Sequence, residues 1–229
     1  MFLENLRIDH NNRPPIWLSR HGESLYNTLD KTGGNSPLSA KGQLYAKVLQ
    51  KWVVEELDKT KELKGFDVWC STLQRTMQTA GPVASRCGVK LMPRKNLNEI
   101  DSGIFDGYTY KEIKAEAPQE YAARKRDKLR YRYPQGESYL DVIDRLEPII
   151  FELERKQNPV LVVGHQAVLR CLYGYFVGKA VDKQLPYFSM PLHTVIKLMP
   201  GPYGCEEERF DLEGQVRELE SRAHTPAKL

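Results

Sequence analysis

"NPVLVVGHQAVLRCLYGYF", Asn158–Phe176, is the stretch on which the fold turns. Asn158 and Pro159 mark a turn. Val160 to Val163 form an unbroken apolar run, which suits a strand buried on both faces. Gly164, His165 and Gln166 then interrupt the run, and Ala167, Val168, Cys171 and Leu172 recur at helical spacing. A strand that passes straight into a helix is the unit of a parallel sheet, and ligands sit beyond the C-terminal edge of such strands. His165 and Gln166 stand at that edge.

The pattern repeats along the chain. Ile16–Leu18 reads as a short buried strand that runs into Arg20 and His21. Residues 31–42, "KTGGNSPLSAKG", begin as loop and turn helical near Ser39. Tyr45, Val48, Leu49, Trp52, Val53 and Leu57 follow at helical spacing. "GFDVWCS" is a second strand, and "STLQRTMQTAGPVASRCG" is read as a helix from Ser71 onward, stopped by Gly88. "VKLMP" is a short third strand. Residues 139–154 make an amphipathic helix with Tyr139, Val142 or Ile143, Leu146, Ile149 or Ile150, and Leu153 inward; Pro148 should disturb it locally. "HTVIKLMP" and Cys205–Leu212 are two late strands. The expected class is α/β, a three-layer α/β/α fold with a mostly parallel central sheet. Between Asn96 and Glu137 the strand signal disappears and short helices break at Pro118 and Pro134. This segment, 96–137, is expected to be a helical insertion over the active site. Residues 1–14 read as an arm or linker, 15–215 as the domain, and 216–229 as a charged tail.

Composition narrows the class. The chain has 229 residues, 34 Lys and Arg against 30 Asp and Glu, and a net charge of +4, too mild for a nucleic-acid coat. Four cysteines, at 70, 87, 171 and 205, show neither metal spacing nor a disulfide framework, so no metal or other cofactor is expected. No signal peptide and no apolar stretch of membrane-spanning length is visible, and a soluble cytoplasmic protein without membrane partners is expected.

Three strand ends therefore carry polar groups: Arg20 with His21, Ser71 with Arg75 on the following helix, and His165 with Gln166. Taken singly, each has an ordinary reading, since a lone histidine or a helical arginine usually faces solvent. Brought to one sheet edge, two imidazoles and two guanidiniums form a hole for an anion, and arginine forks match phosphoryl oxygens in pairs. A neutral imidazole attacks phosphorus, and a carboxylic acid must protonate the leaving oxygen. Glu23, Glu99, Asp101, Asp106 and Glu137 are all candidates, and spacing does not choose among them. "AARKRDKLRYRYP", Ala122–Pro134, is dense in base; Arg124 and Lys128 stand at i and i+4, the spacing of one helix face, and on its own the run reads as a solvated face.

"LSRHGES" with Asn27, "GGNSPLSAKG", "STLQRTMQTA" and "VGHQAVLR" together resemble the ordered signature blocks of the histidine phosphatases, the phosphoglycerate mutase-like superfamily. "LNEIDSG", "TYKEI", "YRYPQGESY", "DRLEPIIFELER" and "PLHTVIKLMPGPYGC" narrow the likeness to the bisphosphatase domains of 6-phosphofructo-2-kinase/fructose-2,6-bisphosphatases. The resemblance implies a phosphohistidine nucleophile at His21, a general acid at Glu99, a second histidine at His165, and a phosphoryl clamp of Arg20 and Arg75. It assigns substrate contacts to Asn27, Gly33, Tyr110, Arg124, Lys128, Tyr139, Gln166 and Arg170. It implies fructose 2,6-bisphosphate as substrate and fructose 6-phosphate as product, with no nucleic-acid partner. No GxxxxGK[ST] loop occurs and the chain is too short to hold a kinase as well, so the expectation is either a domain of a longer native chain that carries a 2-kinase or a chain that lost its kinase. The rival expectations are a broader histidine phosphatase or phosphoglycerate mutase, and a catalytically silent sugar-phosphate sensor.

Overall fold

The structure is a computed structural model that describes residues 13–60, 65–179 and 183–224. Six strands form one sheet: β1 (Ile16–Arg20), β2 (Asp67–Cys70), β3 (Leu91–Pro93), β4 (Val160–Gly164), β5 (Thr194–Gly201) and β6 (Gly204–Asp211). Their order is β3-β2-β4-β1-β5-β6. β3, β2, β4 and β1 are mutually parallel; β5 runs antiparallel to β1, and β6 antiparallel to β5. β1 and β4 sit side by side at the centre, with Arg20 opposite Gly164. That register carries His21 and His165 off the same end of the sheet.

Strand alternation divides the core in two. Ile16, Leu18, Trp69, Val160 and Val162 face α6 (Tyr139–Glu154) and α7 (Gln166–Phe176). Trp17, Val68, Cys70, Leu161 and Val163 face α2 (Ala40–Thr60), α3 (Gln74–Cys87) and α8 (Glu213–His224). β4 is buried along its whole length, as its unbroken apolar run requires. The result is the three-layer α/β/α arrangement. A one-turn helix α1 (Leu25–Thr28) follows the first strand, and α4 (Tyr110–Glu116) and α5 (Pro118–Arg126) form the helical insertion. Phe105, Ile113 and Tyr133 give that insertion a small core of its own. Capping boxes start α1, α4 and α6: Ser24 with Asn27, Thr109 with Glu112, and Ser138 with Asp141.

Several expectations need correction. α3 begins at Gln74, not Ser71, because the Ser71 hydroxyl accepts the Leu73 N–H and holds a turn. α6 passes through Pro148 without a break; the proline lies on the exposed face, where water can satisfy the carbonyl it strands. Val142 and Ile149 are the fully inward members of the two ambiguous pairs. Residues 213–224 are helical rather than a loose tail: Val216 is fully buried against α2's face of the sheet, and Leu219 packs beside it. α5 ends at Arg126, so Arg124 and Lys128 do not share a helix face; the Asp127 carboxylate turns the chain by accepting the Arg130 N–H. The proposed arm falls largely on residues 1–12, outside the described residues, as does the end of the tail after His224. Among the described residues, no helix is long and apolar enough to cross a membrane.

Candidate active site

β1 and β4 deliver the two histidines as neighbours. The His21 N–H donates to the Gly164 carbonyl at 3.0 Å, and the imidazole ring centroids lie 5.1 Å apart. Both rings are buried, His21 at 3 % and His165 at 0 % exposure. The hydrogen-bond partners of His21 fix its tautomer. Nδ1 lies 2.7 Å from the Gly22 carbonyl, which can only accept, so Nδ1 carries the proton. Nε2 lies 3.1 Å from Arg75 Nε, which can only donate, so Nε2 presents a lone pair. Burial, reinforced by Arg75 and Arg20, holds the His21 pKa well below its ordinary value. The ring is thus neutral with its nucleophilic nitrogen directed at a guanidinium, the place where an anion would lie.

His165 occupies the N-cap position of α7, but its side chain does not cap that helix. Its Nε2 lies 2.7 Å from the Ser71 hydroxyl, which in turn contacts Thr76 Oγ1 at 2.7 Å. Burial, followed by Arg75, His21 and Arg20, also depresses its pKa strongly. His165 Nδ1 and Arg20 Nε are both buried without a hydrogen-bond partner. Two orphaned polar atoms in one place are the mark of a site built for a polar guest.

The guest has a cavity of about 650 Å³, lined by Arg20, His21, Arg75, Glu99 and Gln166. Arg124, Lys128 and Arg170 line it too, and Arg170 stands near enough to Arg20 to lower its pKa. These cations are held by neutral partners, not carboxylates. Arg124 donates to the hydroxyls of Tyr133 and Tyr110, each at 2.7 Å. Lys128 donates to the Pro186 carbonyl at 3.1 Å, and Arg170 donates to the Phe188 carbonyl and to the Tyr139 hydroxyl. Burial, with Arg170 and Arg124 nearby, lowers the Lys128 pKa to about 8. Their positive charge remains available for an anion. By contrast, Arg130 and Arg132 of the same basic run are paired with Asp127 and Asp141.

The five candidate acids separate by their partners. Glu23 accepts from the Ser39 hydroxyl, Asp101 from the Gly103 N–H, Asp106 from the Gly34 N–H, and Glu137 from Arg145. Of the five, Glu99 alone lines this cavity. Its Oε1 accepts the N–H of Ala167 in the first turn of α7, at 3.1 Å. Asn27, Gly33, Tyr110 and Tyr139 also line the cavity. Of the residues singled out as site members, all but His165 line this cavity, and the His165 ring lies against that of His21. Sequence reasoning placed Ser71 at a strand end without giving it a partner, and missed Tyr133 and Arg145. "YRYP" carried a signal for Tyr133 in its aromatic-basic alternation; Arg145 acts through partners far away in the chain. Among the described residues, no cluster of three or more His, Cys, Asp or Glu could hold a metal ion.

Residues 16–212 match the family model of the histidine phosphatase superfamily, branch 1. The chain belongs to the histidine phosphatase superfamily. The chain is 50 % identical over 198 residues to the Arabidopsis thaliana 6-phosphofructo-2-kinase/fructose-2,6-bisphosphatase, a match covering 86 % of this chain and 26 % of that protein. It is 50 % identical over 191 residues to the fructose-2,6-bisphosphatase of Saccharomyces cerevisiae, covering 83 % of this chain and 40 % of the relative. The chain thus spans well under half the length of these curated relatives. Among solved structures, an α-ribazole phosphatase from Shigella flexneri superposes with a TM-score of 0.74 at 24 % identity, covering 86 % of this chain and 96 % of that one. A mycobacterial glucosyl-3-phosphoglycerate phosphatase gives 0.72 at 24 % identity, covering 86 % and 98 %. At that identity the likeness establishes the fold.

Proposed function

We propose that this domain hydrolyses the 2-phosphate of fructose 2,6-bisphosphate, giving fructose 6-phosphate and phosphate through a phosphohistidine at His21. The observation that carries the proposal is the number of cations on one cavity: Arg20 and Arg75, which act on His21, together with Arg124, Lys128 and Arg170. Arg20 and Arg75 suit the phosphoryl group that reacts, and the others suit a phosphate that only anchors. The relatives named as fructose-2,6-bisphosphatases support the choice of sugar, and the 6-phosphofructo-2-kinase in the Arabidopsis relative's name supports a 2-kinase as the partner domain of a longer native chain.

The steps follow from the geometry. The lone pair of His21 Nε2 attacks phosphorus, and the P–O2 bond breaks with its electron pair on the sugar oxygen. Glu99, in its acid form, gives that oxygen its proton. Arg20, Arg75 and His165 stabilise the charge spread over the equatorial oxygens, and as fixed, water-excluded groups they need no reorganisation. Water then attacks the phosphohistidine, Glu99 takes back a proton, and the N–P bond breaks with its pair returned to Nε2. Asn27, Gly33, Gln166, Tyr110 and Tyr139 orient the sugar and its far phosphate.

The test is a substrate panel with phosphate release as readout. Fructose 2,6-bisphosphate should be turned over in preference to phosphoglycerates, and an alkaline quench should trap acid-labile label on His21. His21→Ala should lose the label and retain binding, and His165→Ala should lower kcat about 10²–10³-fold. Preference for three-carbon acids would defeat the sugar assignment, and a binding-only protein would give no label.

A further inference from the structure

Glu99 stands on a loop, residues 98–102, with no regular element to hold it. We infer that Arg145, braced by Glu137, is the positioning residue that sets Glu99 for proton transfer. The inference rests on the acid role proposed for Glu99. Arg145 lies on α6 and reaches across to residues 96–99 with its two terminal guanidinium nitrogens. It donates to the carbonyls of Asn96, of Asn98 at 2.7 Å and of Glu99 itself at 3.3 Å. Asn96 returns the link by donating to the Arg145 carbonyl at 2.6 Å. Glu137 accepts from Arg145 Nε at 2.8 Å and Nη2 at 3.1 Å, a two-point fork. The same carboxylate accepts the Asp101 N–H at 3.0 Å, and the Glu137 N–H donates to the Asp101 carbonyl at 2.9 Å. The loop is thereby fastened on both sides of Glu99.

Neither Arg145 nor Glu137 lines the catalytic cavity; both line an adjoining one of about 560 Å³, on whose shared wall Glu99 and Arg75 stand. Arg145 therefore acts on the reaction through the backbone of Glu99. Backbone position matters because one Glu99 oxygen is already committed to the Ala167 and Ile100 N–H groups. A shift of the loop would carry the carboxyl away from the leaving oxygen, and misplacement by about 1 Å can cost 10²-fold.

The experiment compares leaving groups. Fructose 2,6-bisphosphate expels an alkoxide that needs a proton, whereas p-nitrophenyl phosphate expels a phenolate that does not. Arg145→Gln and Glu137→Gln are each measured on both esters, with thermal melting as a check on folding. Glu99→Gln is the control. The expected result is a fall in kcat on the sugar ester that exceeds the fall on the aryl ester by about tenfold or more, part of the 10²–10⁴ that a general acid contributes. The basic limb of the sugar-ester pH profile should move with it, and guanidinium ion should partly restore Arg145→Ala. Parallel losses on both esters would overturn the inference, as would a pH profile that stays in place. Should Arg145 variants fail to fold, the isosteric Glu137→Gln decides by the same comparison. If Glu99→Gln is selective and the Arg145 and Glu137 variants are not, this inference alone falls. If Glu99→Gln itself slows both esters equally, the acid role of Glu99 falls first.

Discussion

The ring of His21 shows how much chemistry a few hydrogen bonds can dictate. A carbonyl on one nitrogen and a guanidinium on the other leave a single neutral tautomer, and burial keeps it neutral. Strand ends made this residue legible in the sequence, because polar groups that stop an apolar run have few structural excuses. Glu99 was not legible in the same way: five carboxylates compete on spacing, and only their partners in space distinguish them. Arg145 was invisible, since it binds carbonyls 46 to 49 positions away and no motif announces such a role. Lys128 yields a pH prediction. Its pKa of about 8 means that the free protein loses this charge as pH rises through that value. A bound phosphate favours the charged form, so binding above that pH takes up a proton. KM for the bisphosphate should therefore climb by up to about tenfold per pH unit above about 8, with kcat less affected. Lys128→Arg should remove that climb, because a guanidinium stays charged; KM against pH at constant ionic strength is the measurement.

Elements were readable where their apolar period was dense. β4, α6 and α7 carry a buried residue at nearly every turn or step and were located from the sequence. α8 was not. Its inward positions are Val216 and Leu219, set among charges that mimic a solvated tail. Tertiary contacts supply what the pattern lacks: Glu213, at the helix start, bonds Lys41 of α2 at 2.6 Å and His193 beside β5 at 2.5 Å. The α3 boundary failed for a related reason, because a hydroxyl at Ser71 outcompeted the helix for a backbone N–H. α8 should therefore be an integral part of the fold. Val216→Ala should cost about 2–3 kcal/mol of stability, from lost methyl burial and the cavity left behind. Denaturant unfolding would measure it, and activity per folded molecule should hold, since Val216 lies across the sheet from α6 and α7.

At the scale of the whole molecule, charge is placed more than it is accumulated. The net charge is only +4, yet seven cations of the described chain, Arg20, Lys31, Arg75, Lys111, Arg124, Lys128 and Arg170, line one cavity. Attraction of a multiply charged ester should thus be screened by salt. KM should rise several-fold between low and physiological ionic strength, where the screening length shortens to about 8 Å; a salt series at fixed pH tests this. The lining of that cavity also has two origins. The histidines leave the rim of the central sheet, whereas Arg124 and Lys128 belong to a detour between β3 and α6 that packs its own small core. The warhead is welded to the chassis, and much of the address label is printed on a detachable panel. Recombination or drift confined to that panel could redirect the same phosphohistidine chemistry to other esters while the chassis stays intact.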